Sequence, residues 1–159
     1  MTDDPDEALA HSFRAPARRR PFGGRAEPDV LVTIAIGGAL GTLSRYGLSR
    51  LIHVAKDTFP WATFVTNLSG AFVLGLFLTL MIERFPPTRY LRSFFAIGFL
   101  GSFTTFSTMA VETVLLVKDH QAVLGIGYLV VSIVAGLACC YLGIVLARVS
   151  RFGGDTAPR

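Results

Sequence analysis

The run Gly98-Phe99-Leu100-Gly101-Ser102-Phe103-Thr104-Thr105-Phe106-Ser107-Thr108 decides how this chain is read. It sits inside an apolar stretch, roughly Leu91 to Val117, and a bilayer core needs about 20 apolar residues in a helix. Yet two glycines and a series of hydroxyl and β-branched residues are poor helix material. A helix break at mid-membrane depth leaves backbone groups that have to be buried or bind something. Freed carbonyls can ligate a small hard cation, and freed N–H groups can face an anion. A continuous helix whose hydroxyls bond back to their own carbonyls is the other reading. The residues alone leave both open.

Around this run lie three more stretches of spanning length. The first is Val30 to Val54, interrupted by Arg45 and Arg50; the others, Trp61 to Ile82 and Ala122 to Ala147, carry no charge. The central stretch has Arg92 at its entrance and Glu112 late. Of the 159 residues, 52% are hydrophobic and only 16% charged, whereas soluble domains run near a quarter charged. That composition argues against a soluble enzyme and against a disordered chain. The expectation is an all-α membrane protein of four transmembrane helices over 30–149, with polar tails over 1–29 and 150–159. Short connections make consecutive helices run up and down. Pro60, Pro86 and Pro87 fall in the gaps, where helix breakers belong. Phe59, Trp61 and Tyr90 fall at span ends, as interfacial aromatics do.

Charge sets the expected orientation, since Lys and Arg favour the cytoplasmic side. The N-tail, the 83–92 connection and the C-tail together hold eleven arginines; the opposite side has Lys56 and Lys118, or three cations with Arg50. Both termini are therefore expected in the cytoplasm. The first 29 residues lack the apolar stretch of a secretory signal, and their acids (Asp3, Asp4, Asp6, Glu7) do not suit a mitochondrial transit peptide. They read as a disordered cytoplasmic tail, its Arg18-Arg19-Arg20 run as a topology signal. Cys139 and Cys140 are adjacent and read as small apolar fillers, because disulfide geometry does not suit neighbours.

Polar residues inside the spans mark something beyond an anchor. Gly37 and Gly41 have the spacing that lets helices touch closely, and Gly70, Gly75, Gly136 and Gly143 thin the second and fourth spans. Asn67 needs a partner or a pore. Tyr128 and Ser132, four residues apart, share a helical face. Arg45 has to snorkel, pair or cap carbonyls, and Glu112 is the acid within a span.

These residues resemble the Fluc (CrcB) family of fluoride channels. The matching pieces are Gly37-Gly38-Ala39-Leu40-Gly41 with Ser44-Arg45-Tyr46, then 59–70 from Phe59-Pro60-Trp61 to Asn67-Leu68-Ser69-Gly70, then Gly98 to Gly101 with Thr104-Thr105-Phe106-Ser107-Thr108 and Glu112. The resemblance implies a third helix broken near its middle and an antiparallel dual-topology dimer with two narrow fluoride pores. It implies a fluoride pore of Asn67, Phe106, Ser107, Thr108, Met109, Tyr128 and Ser132, with Arg45 and Thr63 at a vestibule. It further implies a structural sodium ion held by the backbone carbonyls of Gly101 and Thr104. Asn67 would donate to fluoride, and Phe106 would present its ring edge, which is positive and can face an anion. The implied partners are fluoride, membrane lipid and a second subunit, with no nucleic acid; the implied location is a bacterial inner membrane.

Three departures belong to this chain. Met109 stands where the family usually has a second pore phenylalanine, and a thioether has no positive ring edge. Ser102 stands where a second glycine is common, and Gly136 where the hydroxyl track of the fourth span often continues. With a charge bias of eleven against two or three, these motivate an alternative: one fixed orientation and pairing with a paralogous subunit of opposite orientation, one of whose pores has decayed. A homodimer that tolerates Met109 is the other assembly. Competing functions are a small proton-coupled exporter with Glu112 as carrier and a non-transporting scaffold. An enzyme is not expected: His11, His53 and His120 are scattered, and no nucleophile–base pair or metal spacing occurs.

Overall fold

The computed structural model describes residues 27–52, 58–83 and 89–152. Every regular element among them is helical: α1 (Pro28–Leu51), α2 (Trp61–Glu83), α3 (89–103), α4 (Phe106–Lys118) and α5 (Ala122–Phe152). Four helical segments are long and apolar enough to cross a membrane, with α3 and α4 together forming the third. The expected spans are thus all present. α1 opens at Pro28, a residue pre-set for a first helical turn, and α5 runs on to Phe152. The tails over 1–26 and 153–159 lie outside the described residues.

Consecutive spans are not the main packing partners. α1 lies along α3, and α2 lies along α5, while α1 and α2 touch only sparsely. The glycines explain the pairing. A Cβ on Gly37 or Gly41 would strike the carbonyls of Phe94 and Phe99, and one on Gly98 would sit 2.6 Å from the Ile34 carbonyl. Gly75 and Gly143 likewise bring α2 and α5 into backbone contact at Cys140 and Phe72. Gly37, Gly41, Gly75 and Gly143 therefore do the packing work expected of them, between spans one and three and between two and four, whereas Gly136 packs against nothing within 4 Å. Each pair runs parallel: 37 and 41 match 94 and 99, while Phe59 meets Tyr128 and Glu83 meets Arg148.

Gly41→Val is expected to collapse the α1–α3 contact and abolish a monodisperse elution profile in detergent. Gly47→Ala, at a position where a Cβ meets nothing within 4 Å, should elute as wild type. Equal behaviour of the two variants would contradict this packing.

Within α3, Ser93–Leu100 forms wide π-type turns, a form found mostly as short bulges, frequently at functional sites. Phe95, Phe99 and Phe103, all half-buried, stack along it with centroids 5.5 and 5.9 Å apart, and Phe77 of α2 joins the column at 4.5 Å. Residues 104 and 105 then leave the helix altogether. Thr104 (φ −76°, ψ 152°) and Thr105 (φ −147°, ψ 114°) are extended before α4 begins. Of the two readings the sequence left open, the break is the one present. Hydroxyls elsewhere in the spans do bond back: Thr66, Thr79 and Thr113 each donate to the carbonyl four residues earlier.

At one end of the bundle, Arg89 pairs with Glu27 and lies 3.5 Å from Asp29, while Arg148 pairs with Glu83 at 3.2 Å. The N-terminal entrance, the 83–92 connection and the end of α5 thus share that end, as the charge count supposed. Exposed pairs of this kind contribute under about 1 kcal/mol each.

Candidate functional site at the helix break

The break is built by one asparagine and one threonine. Asn67 of α2 faces Thr105 with both ends of its amide: Nδ2 donates to the Thr105 carbonyl at 3.0 Å, and Oδ1 accepts from the Thr105 N–H at 2.8 Å. The side chain thus satisfies the peptide that the break exposes, and Nδ2 keeps a second hydrogen for another acceptor. Thr105 is also the N-cap of α4. Its Oγ1 accepts from the Thr108 N–H at 3.2 Å and donates to Thr108 Oγ1 at 2.9 Å, with Ser107 Oγ at 3.3 Å. Capping of this kind satisfies one of the orphan donors of a helix start. The signal was present in the sequence as Thr-x-x-Thr at a helix start; the partner on α2 was not.

These bonds free two particular carbonyls. In a continuous helix the Thr105 N–H would serve Gly101 O, and the Thr108 N–H would serve Thr104 O. Here they serve Asn67 Oδ1 and Thr105 Oγ1 instead. Gly101 and Thr104, the residues expected to offer carbonyls to a sodium ion, are thus among the carbonyls, 101 to 104, that a helix ending at Phe103 leaves without helical donors. Oxygen donors suit a hard cation, although such ions take about six ligands, so one chain supplies only part of a shell. Gly70 makes the close approach possible, since a Cβ there would run into Thr104 Cγ2 and lie 3.3 Å from the Phe103 ring.

Two grooves flank the break, and Thr105 lines both. The larger, about 420 Å³, brings together Asn67, Gly101, Thr104, Phe106, Met109, Ser132 and Gly136. Phe106 projects with 71% of its surface exposed, whereas Met109 is buried beneath it. Ser132 is 5% exposed, and its Oγ has no hydrogen-bond partner. Buried hydroxyls are normally paired, and this one has its donor and acceptor free for a further polar group.

The smaller groove, about 310 Å³, holds Arg45 and Thr63 together with Thr108, as well as Thr42, Tyr46, Ser49 and Thr66. Arg45 makes no ion pair or hydrogen bond among the described residues. It is a cation facing a wall of hydroxyls. Thr42 and Ser49 escaped the sequence reading, and Tyr46 entered it only as part of a matching motif, although the i, i+3, i+4 and i+7 spacing on α1 places all three hydroxyls on the Arg45 face.

Behind Thr63 of the smaller groove is its hydrogen-bond partner Glu112. Its Oε1 accepts from Thr63 Oγ1 at 2.7 Å, and its Oε2 accepts from the Tyr128 hydroxyl at 2.8 Å. Tyr128 is fully buried, with Phe59 edge-on at 5.3 Å. Glu112 therefore does not snorkel; it ties α2, α4 and α5 together. The residues expected at one pore are distributed accordingly: Asn67, Phe106, Met109 and Ser132 in the larger groove, Thr108 in the smaller, Tyr128 on Glu112, and Ser107 beside the Thr105 cap, lining neither.

The sequence is similar to those of several named proteins. A Streptomyces avermitilis protein named fluoride-specific ion channel FluC 3 is 47% identical over 130 residues, covering 81% of this chain and 63% of that protein's length. One named FluC 1 from Mycolicibacterium paratuberculosis is 43% identical, covering 74% of this chain and 89% of its own length. A third, from Citrifermentans bemidjiense, is 45% identical and is covered over 98% of its length. The model of the family described as CrcB-like protein, Camphor Resistance (CrcB), matches residues 32–144, and this chain belongs to that family.

Proposed function

We propose that this chain is a fluoride-selective channel that lowers cytoplasmic fluoride by passive efflux across a bacterial plasma membrane, both termini inside. The observation that carries the reading is the convergence of Asn67, Phe106 and the unpaired Ser132 hydroxyl on one groove beside a helix break. Fluoride is small and strongly hydrated, so its lost water has to be replaced by donors at close range. The Ser132 O–H and the second Nδ2 hydrogen of Asn67 are such donors, and the Phe106 ring offers a positive edge. Unpaired Arg45 would raise the local anion concentration at the smaller groove.

A sodium ion would be held by the Gly101 and Thr104 carbonyls, where it would supply a fixed positive charge near the anion path. Two carbonyls per chain favour a site completed by a second subunit, and so does a ring as exposed as Phe106. The charge bias of eleven against two or three favours a specific form of that assembly: a fixed orientation and a paralogous partner inserted the opposite way. A homodimer is the other form. A proton-coupled exporter would depend on Glu112 releasing its proton to each side in turn, and both its oxygens are engaged by hydroxyls.

The chain reconstituted alone in liposomes should release fluoride, followed with an electrode, and should not release chloride. Fluoride current without accompanying proton movement, at a rate far above conformational turnover, excludes the exporter. Silence from a well-folded preparation that co-expression with a paralogue rescues would establish the heterodimer; silence that persists with the partner would sink the channel reading.

A further inference from the structure

We propose that Gly136 sets the width of the anion passage along α5 and determines how much water an anion keeps once past Ser132. The inference rests on the channel reading above. Gly136 lies one turn beyond Ser132 on the same helix and lines the same groove. A Cβ built there meets no atom within 4 Å. Two other glycines of α5 differ: Gly143 is pressed against the backbone of Phe72, and a Cβ on Gly125 would lie 2.9 Å from the Thr113 carbonyl; Gly127 is as open as Gly136 but does not line this groove. Close helix contact therefore explains Gly125 and Gly143 but not Gly136. Ala71, Leu74 and Cys140 line the same groove, and none of them is a strong donor. An anion moving from the Ser132 hydroxyl toward Gly136 finds nothing there to replace its hydration shell. It can pass only if water travels with it, and the missing side chain provides that room.

Two readouts on the full-length reconstituted chain test this. Gly136→Leu should cut fluoride efflux by at least about tenfold while the protein elutes as the wild-type assembly, and Gly136→Ser should conduct. Gly136→Cys, in a Cys139→Ala, Cys140→Ala background, should react from the aqueous phase with a small anionic methanethiosulfonate. Wild-type flux through an intact Gly136→Leu assembly overturns the proposal, as does an unreactive Gly136→Cys. Dissociation of the Gly136→Leu assembly overturns it too, because the glycine would then be a contact with a second copy. If the wild type passes no fluoride even with a paralogous partner, the channel reading fails instead, and the thiol reactivity alone decides whether a water-filled passage runs by Gly136.

Discussion

Asn67→Asp is expected to lower fluoride efflux by at least about 100-fold. Two effects act together. The carboxylate cannot donate, so the Thr105 carbonyl, which accepts from Nδ2 at 3.0 Å, would face an oxygen instead. A negative charge would also enter the groove that the anion crosses. Like charges about 5 Å apart at an effective dielectric of about 20 repel by about 3 kcal/mol, which is more than a factor of 100. Asn67→Ala removes both bonds to Thr105 without adding the charge, so it should lose stability but show the smaller flux defect. Initial efflux rates from liposomes with matched protein content measure the difference. An aspartate variant as active as wild type would remove Asn67 from the anion path.

The second large effect concerns stability. Glu112→Ala strips the acceptor from the fully buried Tyr128 hydroxyl and from Thr63. An unsatisfied buried polar group costs about 1–3 kcal/mol, so losing both partners should destabilise the bundle by about 3 kcal/mol. For a chain of this size that is a fall of about 10 °C in midpoint. Glu112→Gln keeps one acceptor oxygen and should lose less than half as much. Thermal unfolding in detergent, followed by the near-ultraviolet signal of the Tyr128–Phe59–Trp61 cluster, ranks the variants. A Glu112→Ala midpoint equal to wild type would show that the carboxylate does not hold the three helices together.

Much of this architecture was legible in the sequence because a bilayer enforces simple rules. Apolar length located the four spans within a few residues, and arginine placement correctly grouped the 83–92 connection with the start of α1 and the end of α5. Glycine spacing marked the close contacts at Gly37, Gly41, Gly75 and Gly143. What those glycines touch was not legible. Spacing along one helix shows that a neighbour comes near but not which neighbour, so the α1–α3 and α2–α5 pairing had to come from the structure. The same limit applied to the polar residues. Asn67 was read as needing a partner, but its bidentate grip on the Thr105 peptide depends on a break 38 residues away. Glu112 was read through its depth in the membrane, and depth alone could not reveal two hydroxyls on two other helices. The wide turns of Ser93–Leu100 had no signal, since the same residues would fill an ordinary helix equally well.

The pairing of alternate helices also bears on how the chain is made. When α1 and α2 leave the ribosome and enter the bilayer, neither has its partner. The glycine face of α1 waits for Phe94 and Phe99, and that of α2 waits for Cys140. Insertion and assembly are thus separate stages, since lipid offers no hydrophobic push to bring helices together early. The first hairpin must persist as two lone helices in lipid, and its close backbone contacts can form only after the C-terminal half has been synthesised. A nascent chain arrested after α2 is consequently an unassembled intermediate, whose exposed glycine faces are a natural target for membrane quality control.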